Sequence, residues 1–436
     1  MKITLTKHDL AFFKALFDRR CLSLMQAYKY FFKNHYKDFR IFYTEYIIPM
    51  CRSGLLQIQS GSLSGYCVAI TQGSLNLLVK YQFVSLDIWD ASRKCVIHGI
   101  KSINDIVLSD RLIDHQVEMN EFLLRFSSLY PQTGPKFEIL DEKYCSYFSI
   151  IRPDSLIRIG EIDLFVEQDM GTESSKQLND KWNKYRRFLT QEFDHKRRIV
   201  ILFIIKSKDG NEKKRINLVK RSLMNVFSSF LADSVDIFIG TKEELLRVTF
   251  KKVLSGSSLM MTKIKSSFKK HDFDLYSGQS LKVALEGSVY QYYISKVNEN
   301  KALLRYKAYG QMKYQEFLVD EYYYKPFSVL SKIAFHERNS TDFDIAYSFK
   351  HPNQRKISYI VIAKSLQEIS QDMELLNLWG TEGVFITTFA RLNTMPLEQA
   401  VIWIAKNGEA YNCKDPLFVP NNHLGHINNL DAGDVV

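Results

Sequence analysis

The sequence predicts an α/β chain of several domains, and three observations carry that expectation. At 436 residues the chain is long enough for more than one core, given roughly 100–200 residues per domain. Its 46% hydrophobic and 25% charged residues are those of an ordinary globular protein, which excludes wholesale disorder and a disulfide-dense secreted scaffold. In its middle, β-branched runs alternate with helical periods, and Ile199 to Ile205 is the continuous apolar run of a strand buried on both faces.

The N-terminus reads as a small helical module. Thr6 and Asp9 have the spacing of a helix start, and Leu10, Phe13, Leu16 and Phe17 then repeat with helical period to about Arg19. Ser23 caps a second helix through Phe32. A third begins near Asp38 and carries Phe39, Phe42, Tyr46 and Ile47 on one face. Leu55 to Gln59 and Tyr66 to Ile70 are strand-like and flank the tip Ser60-Gly-Ser-Leu-Ser-Gly65, after which Thr71 caps a fourth helix. Three helices followed by a hairpin are the winged helix-turn-helix pattern. Its third helix would enter the major groove, bringing Lys37 and Arg40 to the DNA first and Arg52 at the far end. Pro49 is expected to kink or end that helix one turn early. Protein interaction is the competing use of such a module.

Residues 81–130 read as a connector without chemistry, dominated by a helix from Ser102 to Phe126. The informative segment follows. Leu156 to Ile159 and Ile162 to Glu167 form a hairpin about Gly160-Glu161, so Asp154 begins one strand while Glu167 and Asp169 end its neighbour. Leu178, Trp182, Tyr185 and Leu189 then mark a helix bordered by Lys181. Carboxylates at neighbouring strand ends can hold a divalent metal, which can activate water against a phosphodiester.

Pro-Asp, a hairpin, Glu-x-Asp and a helix offering lysine resemble the restriction-endonuclease-like PD-(D/E)xK fold, with Asp169 in the slot of the motif lysine. Arg152-Pro-Asp154, Glu167-Gln-Asp169-x-Gly171-Thr-Glu173-Ser174 and Lys181-x-x-x-Tyr185, behind Gly54-Leu55-Leu56 and Tyr66, resemble the plasmid replication-relaxation family. That family is similar to the MobC group of mobilisation relaxases. The resemblance spans about residues 5–250. It implies Asp154 and Glu167 as ligands of Mg2+ or Mn2+, and Asp169 as a third ligand or an outer partner. It implies Lys181 in place of the missing lysine, stabilising transition-state charge or orienting water. Glu173 is read as a ligand or as a charge near the helix N-terminus, and Tyr185 as packing rather than a nucleophile.

Charge supports a nucleic-acid partner. Against 48 Asp and Glu stand 59 Lys and Arg, for a net +11. Between Lys176 and Arg221 there are 15 basic and 5 acidic residues, so nearly the whole excess falls in one segment. Lys184, Arg187, Arg197, Arg198, Lys214 and Arg215 are its candidate DNA contacts, as a basic rim beside the acidic cluster.

Beyond Ser255-Gly-Ser-Ser258 an α+β domain is expected. Phe343 to Phe349, Ile357 to Ala363, a helix from Leu366 and the strand Val384 to Phe389 suggest a degenerate second nuclease-like unit, with Asp344 and Lys364 as remnants. The expected divisions are 1–80, winged helix; 81–130, connector; 131–254, nuclease-like; 259–420, C-terminal; and 421–436, a loosely ordered tail. The six cysteines lack a Cys-x-x-Cys pair, and no apolar stretch reads as a signal core or a membrane span, so a soluble cytoplasmic protein in a reducing compartment is expected. No His-hydrophobic-His triplet, Gly-x-x-x-x-Gly-Lys-Ser/Thr or His-Glu-x-x-His occurs; His423-Leu-Gly-His426 has another spacing. The function expected is metal-dependent nicking of double-stranded DNA at a plasmid origin, alongside other DNA-processing or transfer proteins. The alternative is a non-catalytic DNA-binding regulator of replication, transfer or transcription.

Overall fold

The computed structural model describes residues 4–90, 95–97, 99, 101–141, 145, 148–191, 197–207, 210–228, 235–255, 258–277, 292–297, 314–338, 358–412 and 425–427. Mixed α/β architecture is present throughout. Two compact units form, the first from Met1–Thr172, Leu202–Gly210 and Thr241–Leu246, the second from Glu173–Ile201, Asn211–Gly240 and Arg247–Val436.

Helix α1 (Lys7–Arg19) opens on a reciprocal cap between Thr6 and Asp9, and α2 (Leu24–Ala27) on one between Ser23 and Gln26. Strand β1 (Cys21–Ser23) lies between them, and α2 widens into a π turn over Tyr28–Phe32. The next helix runs as α3 (Phe39–Phe42), a π turn (Tyr43–Ile47) and α4 (Ile48–Arg52), so Pro49 neither ends nor interrupts it. Proline cannot donate to the preceding turn and its ring crowds the carbonyl four residues back; the widened turn before it is where an α-helix absorbs that misfit. Gly54 takes φ +71°, and Leu55 N–H reaches back to the Met50 carbonyl at 3.0 Å, closing the helix.

Strands β2 (Leu56–Gly61) and β3 (Gly65–Ile70) form an antiparallel hairpin that pairs with β1 in the order β1-β3-β2. Helix α5 (Gln72–Lys80) follows. Thr71 precedes it but does not cap it, because its hydroxyl donates to the Gly54 carbonyl. Phe12, Phe13, Phe32, Phe42, Tyr46 and Ile47 share one buried core, so the aromatics of the third helix are packing residues.

A short ribbon, β4 (Ile88–Asp90) with β5 (Cys95–Ile97), precedes α6 (Asp110–Leu129). Then come β6 (Phe137–Asp141), β7 (Ser155–Ile159), β8 (Ile162–Asp169), α7 (Ser175–Gln191), β9 (Arg198–Ile205), α8 (Glu212–Phe227) and β10 (Val235–Gly240). Their sheet order is β10-β9-β8-β7-β6. Gly160 at φ +52° makes the tight β7–β8 turn, which puts Ser155 opposite Val166. Helix α9 (Lys242–Val248) continues as a π turn over Thr249–Leu254.

The remaining elements repeat this order. Among the described residues, helix α10 (Ser258–Lys269), β11 (Asp274–Ser277), β12 (Tyr292–Val297), β13 (Tyr314–Glu321), α11 (Phe327–Arg338), β14 (Ser358–Ala363), α12 (Leu366–Leu375) and β15 (Val384–Thr388) follow the same order as α6 to β10. The first five strands of the second sheet also have the matching order, β11-β12-β13-β14-β15. Helices α13 (Phe389–Thr394) and α14 (Leu397–Ala400) come next, and β16 (Ile402–Ile404), β17 (Ala410–Asn412) and β18 (Gly425–Ile427) extend the sheet.

The repeat is thus earlier in the chain than expected. Strand β14 runs parallel to β13, with helix α11 between them in the chain; Phe343 to Phe349 lie outside the described residues. Asp344 lies outside the described residues, and Lys364 is exposed at the end of β14. The segment expected to be a loose tail supplies β18.

Among the described residues the second unit buries three lysines, each against a carboxylate. Lys332 meets Asp320 at 2.7 Å, Lys220 meets Asp372 at 2.6 Å, and Lys252 meets Glu321. Tyr359 and Tyr322 donate their hydroxyls to Asp320 and Asp372 at 2.8 and 2.7 Å. Burial pushes the Glu321 carboxyl up against the pull of Lys252. Buried His336 stacks on Tyr359, ring centroids 5.2 Å apart. Burial, then the charge of Lys332, holds its imidazole down to about 3 from the ordinary 6.5.

Unfolding below pH 6.5 therefore takes up a proton that folded His336 refuses. Stability is expected to fall as pH drops from 6.5 toward 3, by about 1.4 kcal/mol per pH unit from this residue. His336→Phe keeps a ring against Tyr359 and should flatten this acid limb in urea melts; a limb as steep as wild type would contradict the assignment.

Among the described residues no helix is long and apolar enough to cross a membrane. Cys21, Cys67 and Cys145 are buried thiols, and Cys51 is a half-buried one.

Candidate nucleic-acid interface and strand-end site

The third helix has two distinct faces. Phe42, Tyr46, Ile47 and Met50 point into the core, while Lys37, Arg40, Thr44, Glu45 and Arg52 are exposed along the opposite side. All three basic residues expected to approach DNA therefore face solvent. Beside them the hairpin projects Tyr66, 67% exposed, and Leu63, 58% exposed.

The hairpin tip is tied down. The Asp114 carboxylate of α6 accepts from Ser62 Oγ at 2.6 Å, Leu63 N at 3.1 Å and Ser64 N at 2.9 Å, and from Ser64 Oγ. Burial alone would raise this carboxyl, but the hydrogen bonds from Ser62, Ser64 and Leu63 pull it down to about 2.

The second place of interest is the end of β8. Asp154 stands one residue before Ser155, whose ladder partner is Val166, so the register sets Asp154 across from Glu167. Asp154 Oδ2 accepts the Gln168 N–H at 2.8 Å and lies 3.2 Å from His115 Nε2, which is also 3.0 Å from the Gln168 carbonyl. Glu167 and Asp169 are buried, and Asp169 Oδ1 accepts the Gly171 N–H at 3.0 Å. Alternation along β8 puts Glu167 and Asp169 on one side of the strand and Gln168 on the other.

Lys181 belongs to the second unit and has its own partner there, Glu173 Oε1 at 3.0 Å. Glu173 does not cap α7. Ser174 and Gln177 do so reciprocally, and the Glu173 carbonyl accepts from Arg215 at 2.6 Å. Tyr185 is buried in the α7 stripe with Leu178, Trp182 and Leu189, as the spacing indicates.

The implied metal can be tested on this donor set. One Asp154 oxygen is shared between a peptide N–H and an imidazole, and among the described residues no three His, Cys, Asp or Glu side chains gather as metal ligands would. As placed, Asp154, Glu167 and Asp169 do not make a ready site for Mg2+ or Mn2+.

The basic segment divides by helix face. Lys176, Lys184, Arg186 and Arg187 are exposed on α7, and Lys213, Lys214 and Arg221 on α8, which packs against it. Other residues of the expected rim turn inward. Arg215 is buried against the Glu173 carbonyl, Lys220 is buried on Asp372, and Arg198 pairs with Asp236 at 2.7 Å. A charged side chain is kept away from water only where a partner compensates it, so buried Arg215 and Lys220 serve packing before any ligand, while Arg198 is half-buried. Arg197 is half-buried.

Comparison with protein-family models, with curated proteins and with solved structures finds no match for this chain. The site residues that sequence reasoning missed are Asp114 and His115, in the segment read as a connector. Their only signal is polar residues within an amphipathic helix: Asp114, Gln116 and Asn120 of α6 are all buried.

Proposed function

We propose that this protein binds double-stranded DNA through its N-terminal module. The observation that carries the reading is the order helix, strand, helix, helix and hairpin, with the basic side of the third helix open to solvent beside an exposed hairpin. That order is what supports a winged helix-turn-helix, in which Arg40 reaches base edges and Lys37 and Arg52 hold phosphates. The exposed cations of α7 and α8 provide a second, sequence-independent grip on the backbone.

Duplex binding is expected to weaken linearly in log affinity with log salt. Lys184→Ala with Arg187→Ala should reduce that slope by about 2 without changing sequence preference, as read by fluorescence anisotropy. A salt slope equal to wild type would remove α7 from the interface.

A second reading, DNA nicking at an origin, is favoured by one feature: Asp154 and Glu167 at adjoining strand ends with His115 beside the first. It predicts relaxation of a supercoiled plasmid that is lost in Asp154→Ala and Glu167→Ala. Nicking that persists unchanged in both variants would eliminate this site.

A further inference from the structure

Consecutive residues of α6 grip two different places. Asp114 holds the hairpin tip through Ser62, Leu63 and Ser64, and His115 holds the end of β8 through Asp154 and the Gln168 carbonyl. Neighbouring residues on an α-helix project about 100° apart, so a single level of α6 can serve both contacts.

Both contacts are closed constellations. At the tip, two backbone N–H groups and two hydroxyls converge on one carboxylate, and Gly61 leaves no room for a side chain: a Cβ there would collide with Asp114 Oδ1. At the strand end, Gln168 donates its backbone N–H to Asp154, and its carbonyl, in the next peptide, lies against the His115 ring, which also reaches Asp154. With its proton on Nε2 the ring donates to both oxygens. Gln168 lies between Glu167 and Asp169, so the two peptides held this way set the positions of both carboxylates.

Further along, α6 is pinned from both sides. Gln26 donates to the Val117 carbonyl at 2.9 Å and Asn120 to the Cys21 carbonyl at 2.6 Å, while Glu118 meets Lys242 at 3.0 Å. A helix fixed in this way moves as a body when one contact is displaced.

We propose that α6 is a positioning element that couples the hairpin to the strand end, Asp114 sensing the tip and His115 setting Asp154 and the Glu167–Asp169 peptides. Tip donors that satisfy a carboxylate also suit a DNA phosphate, so a phosphate that takes them releases Asp114 and shifts α6. This last step rests on the DNA-binding reading; the coupling itself does not.

Amide hydrogen exchange at Gln168 in the full chain tests the coupling without DNA. Ser62→Ala with Ser64→Ala keeps the backbone donors and the fold, and Asp114→Asn removes the charge. In both, exchange at Gln168 is expected to accelerate about 5- to 150-fold. Acceleration confined to the hairpin, with Gln168 at the wild-type rate in the double serine variant, would overturn the proposal even if Asp114→Asn failed to fold.

A short duplex supplies the second arm. It should change Gln168 exchange in wild type and leave it unchanged in Asp114→Asn that still binds. An equal change in that variant would show direct protection by DNA and defeat the phosphate step. A wild-type chain that binds no duplex would defeat the DNA-binding reading, and the DNA-free arm would still decide the coupling.

Discussion

Asp320→Ala is expected to cost about 3–5 kcal/mol of stability in urea unfolding, the largest effect of any single change considered. Asp320 is fully buried at the end of β13 and satisfies both Lys332 and the Tyr359 hydroxyl. Without it, an ammonium and a phenol in an apolar interior both lose this carboxylate as their acceptor. The cost comes from the abandoned partners and not from the ion pair as such, so Asp320→Asn with Lys332→Met should recover most of the loss. A double variant no better than Asp320→Ala would show that the charges themselves stabilise this core.

Arg40→Ala carries the largest expected effect on binding. A guanidinium reading a base edge contributes about 1–3 kcal/mol, so affinity for a preferred duplex should fall roughly 5- to 150-fold while non-specific binding changes much less. Arg40 is exposed on α3 and outside the aromatic core, so the variant should melt with wild type. Equal losses on preferred and random duplexes would demote Arg40 to a phosphate contact.

The N-terminal module was legible because its signals are local. Thr6 with Asp9 and Ser23 with Gln26 are reciprocal caps three residues apart, and the Ser60 to Gly65 tip lies between runs of strand character. Pro49 misled because a proline rule describes an α-helix, and the helix here is widened by a π turn just before it. The Asp154–Glu167 pairing was also local, set by the two-residue turn at Gly160.

Strand direction and distant partners were not legible. Helix α11 is rich in aromatic and β-branched residues and shows no clean polar stripe, so the crossover that makes β14 parallel to β13 was invisible, and Lys332 with it. His115 reaches Asp154 from a helix far upstream in sequence, a proximity that only tertiary packing creates. The basic segment illustrates the same limit: charge counts do not distinguish exposed Lys184 and Arg187 from buried Arg215 and Lys220.

The central claim is that duplex DNA lies against the third helix and the hairpin of the N-terminal module. Photo-crosslinking of the full chain to a bromodeoxyuridine-substituted duplex, followed by peptide mapping, tests it most directly. Crosslinks to α3, α4 and the hairpin about Tyr66 are the predicted result, diminishing with added salt. Salt-insensitive crosslinks, or crosslinks that leave these elements untouched, would contradict it.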